Sequence, residues 1–181
     1  LAARLDIAGA QTGRFFVVDD TTFELPRGEY VLTVTRGWHY TVGQATITLE
    51  AGQESSLSLQ LNEVIPTPGW TSGEFHQHAS PSLDSTVDVE DRVLSNLAEG
   101  VGFMQPSEHD IIFDYRKVIE ALGLSDRITA PLNGIEVSPV TTHMGAYGIS
   151  YDPYAPAGGA PSLSVFEGGF WRGRDVPELM N

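Results

Sequence analysis

The stretch NEVIPTPGWTSG, residues 62–73, separates two parts of the chain that follow different hydrophobic patterns. Its two prolines and two glycines interrupt strand and helix patterns alike, so the stretch predicts a domain boundary. We therefore expect a first domain at 1–62, a linker at 63–72 and a second domain at 73–181.

Residues 1–62 show the period-two alternation that is typical of half-buried strands. The segments EYVLTV at 29–34, ATITL at 45–49 and SLSLQL at 56–61 each place apolar side chains on one face. Turn residues separate the segments at a spacing of about ten residues per strand. This spacing predicts a small antiparallel β-sandwich.

After the boundary, strand patterns alternate with helix patterns. Two segments carry a single apolar face with helical spacing, DVEDRVLSNLAEG at 88–100 and DYRKVIEALG at 114–123. The segments VGFMQP at 101–106 and ITAPLNGIEVSPV at 128–140 resemble strands, and RDVPELMN at 174–181 begins like a helix with Asp175 as its cap. This alternation predicts an α/β fold with a parallel sheet, whose carboxyl-terminal strand ends carry the functional groups.

Composition excludes several classes of partner. The chain of 181 residues has 10 Lys and Arg against 24 Asp and Glu, a net charge of −14. An acidic surface repels phosphate backbones, so we expect no nucleic-acid partner. There are no cysteines, which removes disulfides and thiolate ligands together. No apolar run approaches the ~20 residues of a membrane-spanning helix, so no membrane span is expected.

Four of the five histidines fall at or just beyond predicted strand ends. In GEFHQHASPSLDS, residues 73–85, two histidines one residue apart face the same side of a strand. Further histidines and carboxylates follow at the next strand ends, and mixed ligands of this kind suit Zn, Fe or Mn. The sequence thus predicts a metal cluster formed by His76, His78, Asp84, His109, Glu136 and His143. The fifth histidine, His39 in RGWHY, belongs to no such set and is expected to be structural.

From residue 73 onwards the chain resembles the PHP superfamily of metal-dependent hydrolases, and within it the branch of carbaryl-type hydrolases. The stretches that carry the resemblance cover about residues 69–150 and are GEFHQHASPSLDS, VEDRVLSNLAEGVGFMQPSEHD, NGIEVS and THMGAYGI. The resemblance implies a distorted βα barrel with up to three divalent ions. It also implies hydrolysis of a small-molecule phosphate ester, or of an amide or carbamate ester, by metal-activated water.

Members of that branch often carry a small β domain before the catalytic part, and residues 1–62 resemble a carboxypeptidase regulatory domain. The family likeness favours a periplasmic or secreted protein. By position, the resemblance allots His76, His78 and Glu136 to one ion. Glu136 would bridge to a second ion that also takes His143, and Asp84 with His109 would hold a third.

Two glutamates stand where the family usually has aspartate, namely Glu74 before H-x-H and Glu108 in SEHD. Both are expected to support histidines rather than to bind metal. Asp84 stands where many members have histidine, and its carboxylate can still bind a metal ion.

The family also has a further histidine and a late D-x-H motif, whereas no histidine follows His143 here. We therefore expect an N-terminal portion holding about three βα units, which needs the remainder of its own chain to complete the barrel and is inactive alone. The alternative is a non-catalytic extracellular binding or assembly module with a degenerate PHP-like domain. This alternative is supported by the two glutamates that replace aspartate and by the exposed-looking aromatic residues Phe170 and Trp171, although packing inside the barrel is the first expectation for the aromatic pair.

Overall fold

The computed structural model describes the backbone of residues 1–139 and 142–179, and every side chain in those ranges except those of residues 166, 171 and 176. The chain divides into two compact units. The first unit contains Leu1–Ser72 and Val93–Gly102, and the second contains Gly73–Arg92 and Phe103–Asn181. Whether residues 1–62 and 73–181 form separate domains joined by a linker stays a prediction.

The first unit contains a four-stranded antiparallel sheet with the order β2-β1-β3-β4. Its strands are β1 Ala2–Gly9, β2 Gly13–Val18, β3 Gly28–Thr35 and β4 Gly43–Leu49. Alternate apolar side chains of β1 and β3 form the buried core, because successive residues of a strand point to opposite faces. The core residues are Leu5, Ile7, Tyr30 and Leu32. The Tyr30 hydroxyl donates a hydrogen bond of 2.7 Å to the Pro26 carbonyl, which satisfies its only buried polar group.

The predicted β-sandwich is wrong, since the first unit has one sheet and not two. The strands predicted at 29–34 and 45–49 are confirmed as β3 and β4, whereas residues 56–61 form no strand. Leu59 packs against the core and Leu57 is exposed. Alternation predicts which apolar side chains are buried. A strand also needs the edge of a neighbouring strand to pair with, and residues 56–61 pair with none.

Both predicted helices of the middle region are confirmed. They are α1, Val89–Ala98, and α2, Tyr115–Ala121. Acidic residues occupy the first turn of α1, where the helix dipole favours negative charge. Asp114 caps α2 by accepting a hydrogen bond of 3.1 Å from the Arg116 backbone N–H. None of the described helices combines the length and apolar character that crossing a bilayer requires.

The second unit contains short strands and two more helical segments. The strands are β5 Gly73–Glu74, β6 Phe103–Met104, β7 Gly134–Val137, β8 Met144–Tyr147, β9 Ser164–Glu167 and β10 Phe170–Gly173. A 3₁₀ turn at Pro156–Gly159 and the helix α3, Val176–Leu179, complete it. The predicted cap of α3 is confirmed, since Asp175 Oδ1 accepts from the Glu178 N–H at 3.1 Å. The ends of the segments predicted at 128–140 and 174–181 lie outside the described residues.

The predicted α/β fold with a PHP-like βα barrel is wrong. Most described strand pairs are antiparallel, including β7 with β8 and β9 with β10. Parallel pairing is confined, in the described ranges, to the two-residue ladder of β5 with β6 and two isolated bridges. Pro106 ends and Pro131 interrupts the segments that were expected to resemble strands, because proline donates no ladder hydrogen bond.

A second buried core forms around Ile112, Ile135 and Val137. All four residues of β7 are buried. Gly134, which begins β7, lies so close to its neighbours that an added Cβ would come nearer than 3.0 Å to the Pro106 carbonyl oxygen and to the Gln105 amide. Glycine at 134 therefore allows β7 to approach the segment that leads to Glu108.

We predict that Gly134→Ala lowers the free energy of unfolding by roughly 1–3 kcal/mol, the usual cost of overpacking a core. The clash is with a backbone carbonyl, which cannot rotate away as the end of a flexible side chain can. The measurement is urea unfolding followed by circular dichroism.

Gly173→Ala is the matched control, since nothing lies within 4 Å of a Cβ at this strand position. Its effect should stay within about 0.5 kcal/mol, as for most surface substitutions. Equal stabilities of the two variants would contradict the close approach at Gly134.

Candidate metal centre

The H-x-H segment directly follows β5, and a buried glutamine fixes its orientation. Gln77 donates its backbone N–H to Ser107 Oγ at 2.7 Å and its side-chain amide to the Gln105 carbonyl at 3.3 Å. Because Gln77 points inward, the flanking His76 and His78 point the other way, with ring centroids 5.2 Å apart. Glu74 Oε1 accepts from the His76 N–H at 2.8 Å, which holds the start of the segment.

Strand β7 brings Glu136 to the same place. Its backbone N–H donates to the Glu108 carbonyl at 3.0 Å, and its own carbonyl accepts from the Asp110 N–H at 3.0 Å. These bonds form a parallel bridge between His109 and Glu136, so the two side chains lie next to each other. The Glu136 side chain is almost completely buried, and its carboxylate faces four imidazole rings.

All six residues predicted for the metal cluster come together. They form three overlapping groups, which are His76, His78 and Glu136; His78, Asp84 and His109; and His109, Glu136 and His143. Within each group, one candidate ligand atom per residue lies within 4.8 Å of the others. Each group contains the residues that the family resemblance allots to one ion. His39, expected to be structural, belongs to the first unit and to none of these groups.

Three atoms of the first group form a compact triangle. His76 Nε2 is 2.9 Å from Glu136 Oε2 and 3.1 Å from His78 Nε2, and His78 Nε2 is 3.0 Å from the same oxygen. Two ligands of a tetrahedral zinc ion are ~3.4 Å apart, so the triangle matches that requirement to within about half an ångström. Imidazole nitrogen and carboxylate oxygen are donors that Zn, Mn and Fe accept. The residues present therefore fit a divalent ion.

The other two groups are more open. Asp84 Oδ2 lies 3.4 Å from His109 Nε2, and Asp84 Oδ1 lies 3.5 Å from His78 Nδ1. His143 Nδ1 lies 2.9 Å from Glu136 Oε1. His78, His109 and Glu136 form the buried end of the cluster, whereas His76, Asp84 and His143 are largely exposed. A small molecule can thus approach the cluster from the exposed end.

Electrostatics favour the ionised form of Glu136. Burial by itself would raise the pKa of this carboxyl, but positive charge on the neighbouring His109, His76 and His78 outweighs it, and the pKa lies below the ordinary value. The carboxylate is therefore negative at neutral pH, which is the form that a cation requires.

Glu108, expected to support a histidine, is instead the centre of a buried hydrogen-bond network. Its side chain is 0% exposed. Both carboxylate oxygens accept from the Ala79 N–H at 3.0–3.1 Å, while Ser82 Oγ donates to one oxygen and the Tyr115 hydroxyl to the other. Burial and then the Glu108 charge raise the pKa of Tyr115, which keeps its hydroxyl protonated and able to donate. Glu108 reaches His78 through Ser82, whose Oγ is 3.2 Å from His78 Nδ1.

Sequence reasoning missed three residues of the site, namely Ser82, Tyr115 and Ser138. Ser138 Oγ lies 2.5 Å from His109 Nδ1. Its place two residues after Glu136, just beyond the end of β7, was a usable signal, because residues two apart in an extended chain share a face. Ser82 and Tyr115 lie in a loop and at a helix start, and nothing in their local sequence indicates a buried glutamate as partner.

Comparisons with family models, with curated proteins and with solved structures give no match to this chain. The fold and site therefore define its class directly: two small units of short, mainly antiparallel strands, the second with a histidine and carboxylate cluster. The likeness to PHP hydrolases rests on the quoted sequence stretches and stays a prediction.

We predict that Tyr115→Phe lowers the free energy of unfolding by about 1–3 kcal/mol, since it removes one of the hydrogen-bond donors that compensate a buried carboxylate. Chemical denaturation at pH 7 measures this loss.

Tyr154→Phe serves as the control, because Tyr154 is almost wholly exposed and far less is lost with its hydroxyl. A loss for Tyr115→Phe no larger than that of the control would show that Glu108 does not depend on this donor.

Proposed function

We propose that this chain contributes the metal centre of a metal-dependent hydrolase that acts on a small phosphate ester or on an amide or carbamate ester. The observation that carries the proposal is the sharing of ligands. Glu136 belongs to two of the three groups, and His78 and His109 each belong to two. A chance gathering of polar residues on a surface rarely places its most connected carboxylate in the interior, since burying a charge without compensation is costly.

The residues divide into a supporting set and an accessible set. His78, His109 and Glu136 are held from behind by backbone and serine hydrogen bonds, so they keep fixed positions. His76, Asp84 and His143 lie at the exposed end, where water and ester reach them. When bound, divalent ions supply Lewis acidity toward water and toward the phosphoryl or acyl oxygen. No general base is assigned, because histidines that bind an ion are not free to accept a proton.

We predict that the protein binds Zn²⁺ or Mn²⁺ and that Glu136→Gln weakens the tightest binding at least about 10-fold, since it removes a charge shared by two groups. Asp84→Asn, which affects one group, should leave the tightest site closer to wild type. Isothermal titration of the metal-depleted protein gives the affinities. Release of nitrophenol from an aryl phosphate monoester and of naphthol from an aryl carbamate measures hydrolysis of each substrate class.

Glu120→Gln is the matched control, because Glu120 is exposed on α2 and belongs to none of the described metal-ligand groups. The proposal fails at its first step if wild type and Glu136→Gln bind the ions equally. It fails at its second step if the ions bind as expected and the full-length protein hydrolyses neither ester.

A second candidate function is ligand binding by the first unit. There, a pocket of about 270 Å³ is bordered by Trp38, Tyr40 and Trp70, with His39 and Glu63 beside them. Trp38 is 92% exposed and Trp70 is 83% exposed, which is unusual for the largest aromatic side chain. Flat aromatic faces with polar groups at their edges suit the ring of a sugar. This pocket supports the binding-module alternative.

For this second function we predict that soluble oligosaccharides change the tryptophan fluorescence of the protein, and that Trp38→Ala and Trp70→Ala each weaken binding about 10-fold or more. Phe170→Ala is the control, since Phe170 is also exposed but lies on β10 of the second unit. Saturable binding that both tryptophan variants retain would place the sugar elsewhere.

The exposure of Phe170 corrects the expectation that it packs inside a barrel. The side chain of Trp171 lies outside the described residues.

A further inference from the structure

We infer that Ser82 and Ser138 are positioning residues that set the tautomers of His78 and His109, so that both rings carry their proton on Nδ1 and present an unprotonated Nε2 to the cluster. The use of those nitrogens by a metal rests on the proposed function. The tautomers themselves do not, because they follow from hydrogen-bond donors and acceptors in the protein alone.

The tautomer of His78 follows from the hydrogen bonds around Ser82. The Oγ of this buried serine has three polar neighbours, which are the Glu108 carboxylate, the His109 backbone N–H at 2.9 Å and His78 Nδ1 at 3.2 Å. Ser82 donates its single hydroxyl hydrogen to Glu108 Oε2. The backbone N–H can only donate, so it occupies one lone pair of Oγ. The remaining lone pair faces His78 Nδ1, which must then carry the proton.

Ser138 sets the tautomer of His109 in a similar way. Ser138 Oγ is 3.3 Å from the Glu136 carbonyl oxygen and 2.5 Å from His109 Nδ1. A carbonyl oxygen can only accept, and the hydroxyl of Ser138 lies within donating distance of it, which leaves an Oγ lone pair for His109. Oγ then accepts from Nδ1–H of His109. A hydrogen bond of 2.8 Å from the Ser138 N–H to Asp110 Oδ1 holds this serine in place.

Both rings therefore turn a lone pair toward carboxylate oxygens, and the nearest one to His109 Nε2 is Asp84 Oδ2 at 3.4 Å. His78 Nε2 is 3.0 Å and His109 Nε2 is 3.8 Å from Glu136 Oε2. Two acceptor atoms that face each other without a hydrogen between them repel, and a cation placed between them removes the repulsion. Histidines that bind metals usually donate their second ring N–H to a neighbouring acceptor, which fixes the ring and raises the basicity of the ligating nitrogen. Here two serine hydroxyls would be those acceptors.

The tautomers can be read directly by long-range ¹H–¹⁵N correlation spectra of the metal-free protein at pH 8, above the ordinary imidazole pKa of about 6.5. The expected result is a protonated Nδ1 and an unprotonated Nε2 for both His78 and His109, the reverse of the form that a free imidazole side chain prefers. A protonated Nε2 on either ring in the wild-type protein would overturn the inference for that ring.

Two variants separate this role from a general structural one. Ser82→Ala should shift His78 toward the Nε2–H form and leave His109 unchanged, whereas Ser138→Ala should do the opposite. Ser82→Thr and Ser138→Thr retain the hydroxyl and should restore the wild-type tautomers. The two alanine variants act as controls for each other. If Ser82→Ala fails to fold because Glu108 loses a donor, Ser138→Ala still decides the role of Ser138, and the wild-type spectrum decides the tautomer of His78. An alanine variant that folds and keeps the wild-type tautomer would overturn the role of that serine.

Metal titration distinguishes this inference from the proposed function. Each serine-to-alanine variant should weaken Zn²⁺ binding by about 10-fold, the low end of the effect of such supporting groups. Wild-type tautomers as expected with no metal binding would leave the serine roles standing and reject the metal centre. Tight Zn²⁺ binding that neither variant weakens would retain the metal centre and reject the serines as its supports.

Discussion

The second unit depends on the hydrogen bonds that the buried carboxylate of Glu108 accepts. Glu108 is fully buried, and a carboxylate in such a place is tolerable only when hydrogen-bond donors replace the water that it has lost. Those three donors come from two separate segments: the loop after β5 gives the Ala79 N–H and the Ser82 hydroxyl, and the start of α2 gives the Tyr115 hydroxyl. One side chain therefore ties together the loop that follows H-x-H, the segment that carries His109 and the first turn of a helix.

This network explains how a precise cluster exists on such short strands. The β5–β6 ladder has two residue pairs, and the link between His109 and Glu136 is an isolated bridge. A ladder of that length fixes the register and orientation of its strands only weakly, because each residue pair is held mainly by the pairs next to it along the ladder. Hydrogen bonds to Glu108 and Ser82 add the constraint that the strands do not supply. The geometry of the cluster therefore depends on several residues, far apart in sequence, that must all have the right identity.

The corrections to the fold have a common cause. Alternating strand and helix patterns suggested a parallel sheet closed by helices, yet Pro106 and Pro131 shorten the would-be strands and β7 finds an antiparallel partner in β8. Likewise, 56–61 has the alternation of a strand and no partner edge. The convergence of the six cluster residues did not need the barrel. It needed only three segments to run side by side over a few residues, namely the segment after β5, the segment after β6 and β7 itself. The short parallel contacts bring these segments together.

The sequence by itself determined the local elements and the chemical character of the cluster. Period-two alternation located β3 and β4, apolar spacing located α1 and α2, and the placement of His76, His78, His109 and Glu136 at predicted strand ends indicated that they would converge. Tertiary structure alone decided which strands found partners and which hydroxyls faced which ring. Ser82 reaches Glu108 across 26 residues and Ser138 reaches His109 across 29. Hydrogen-bond direction depends on what a group meets in space, and no local pattern of residues contains that information.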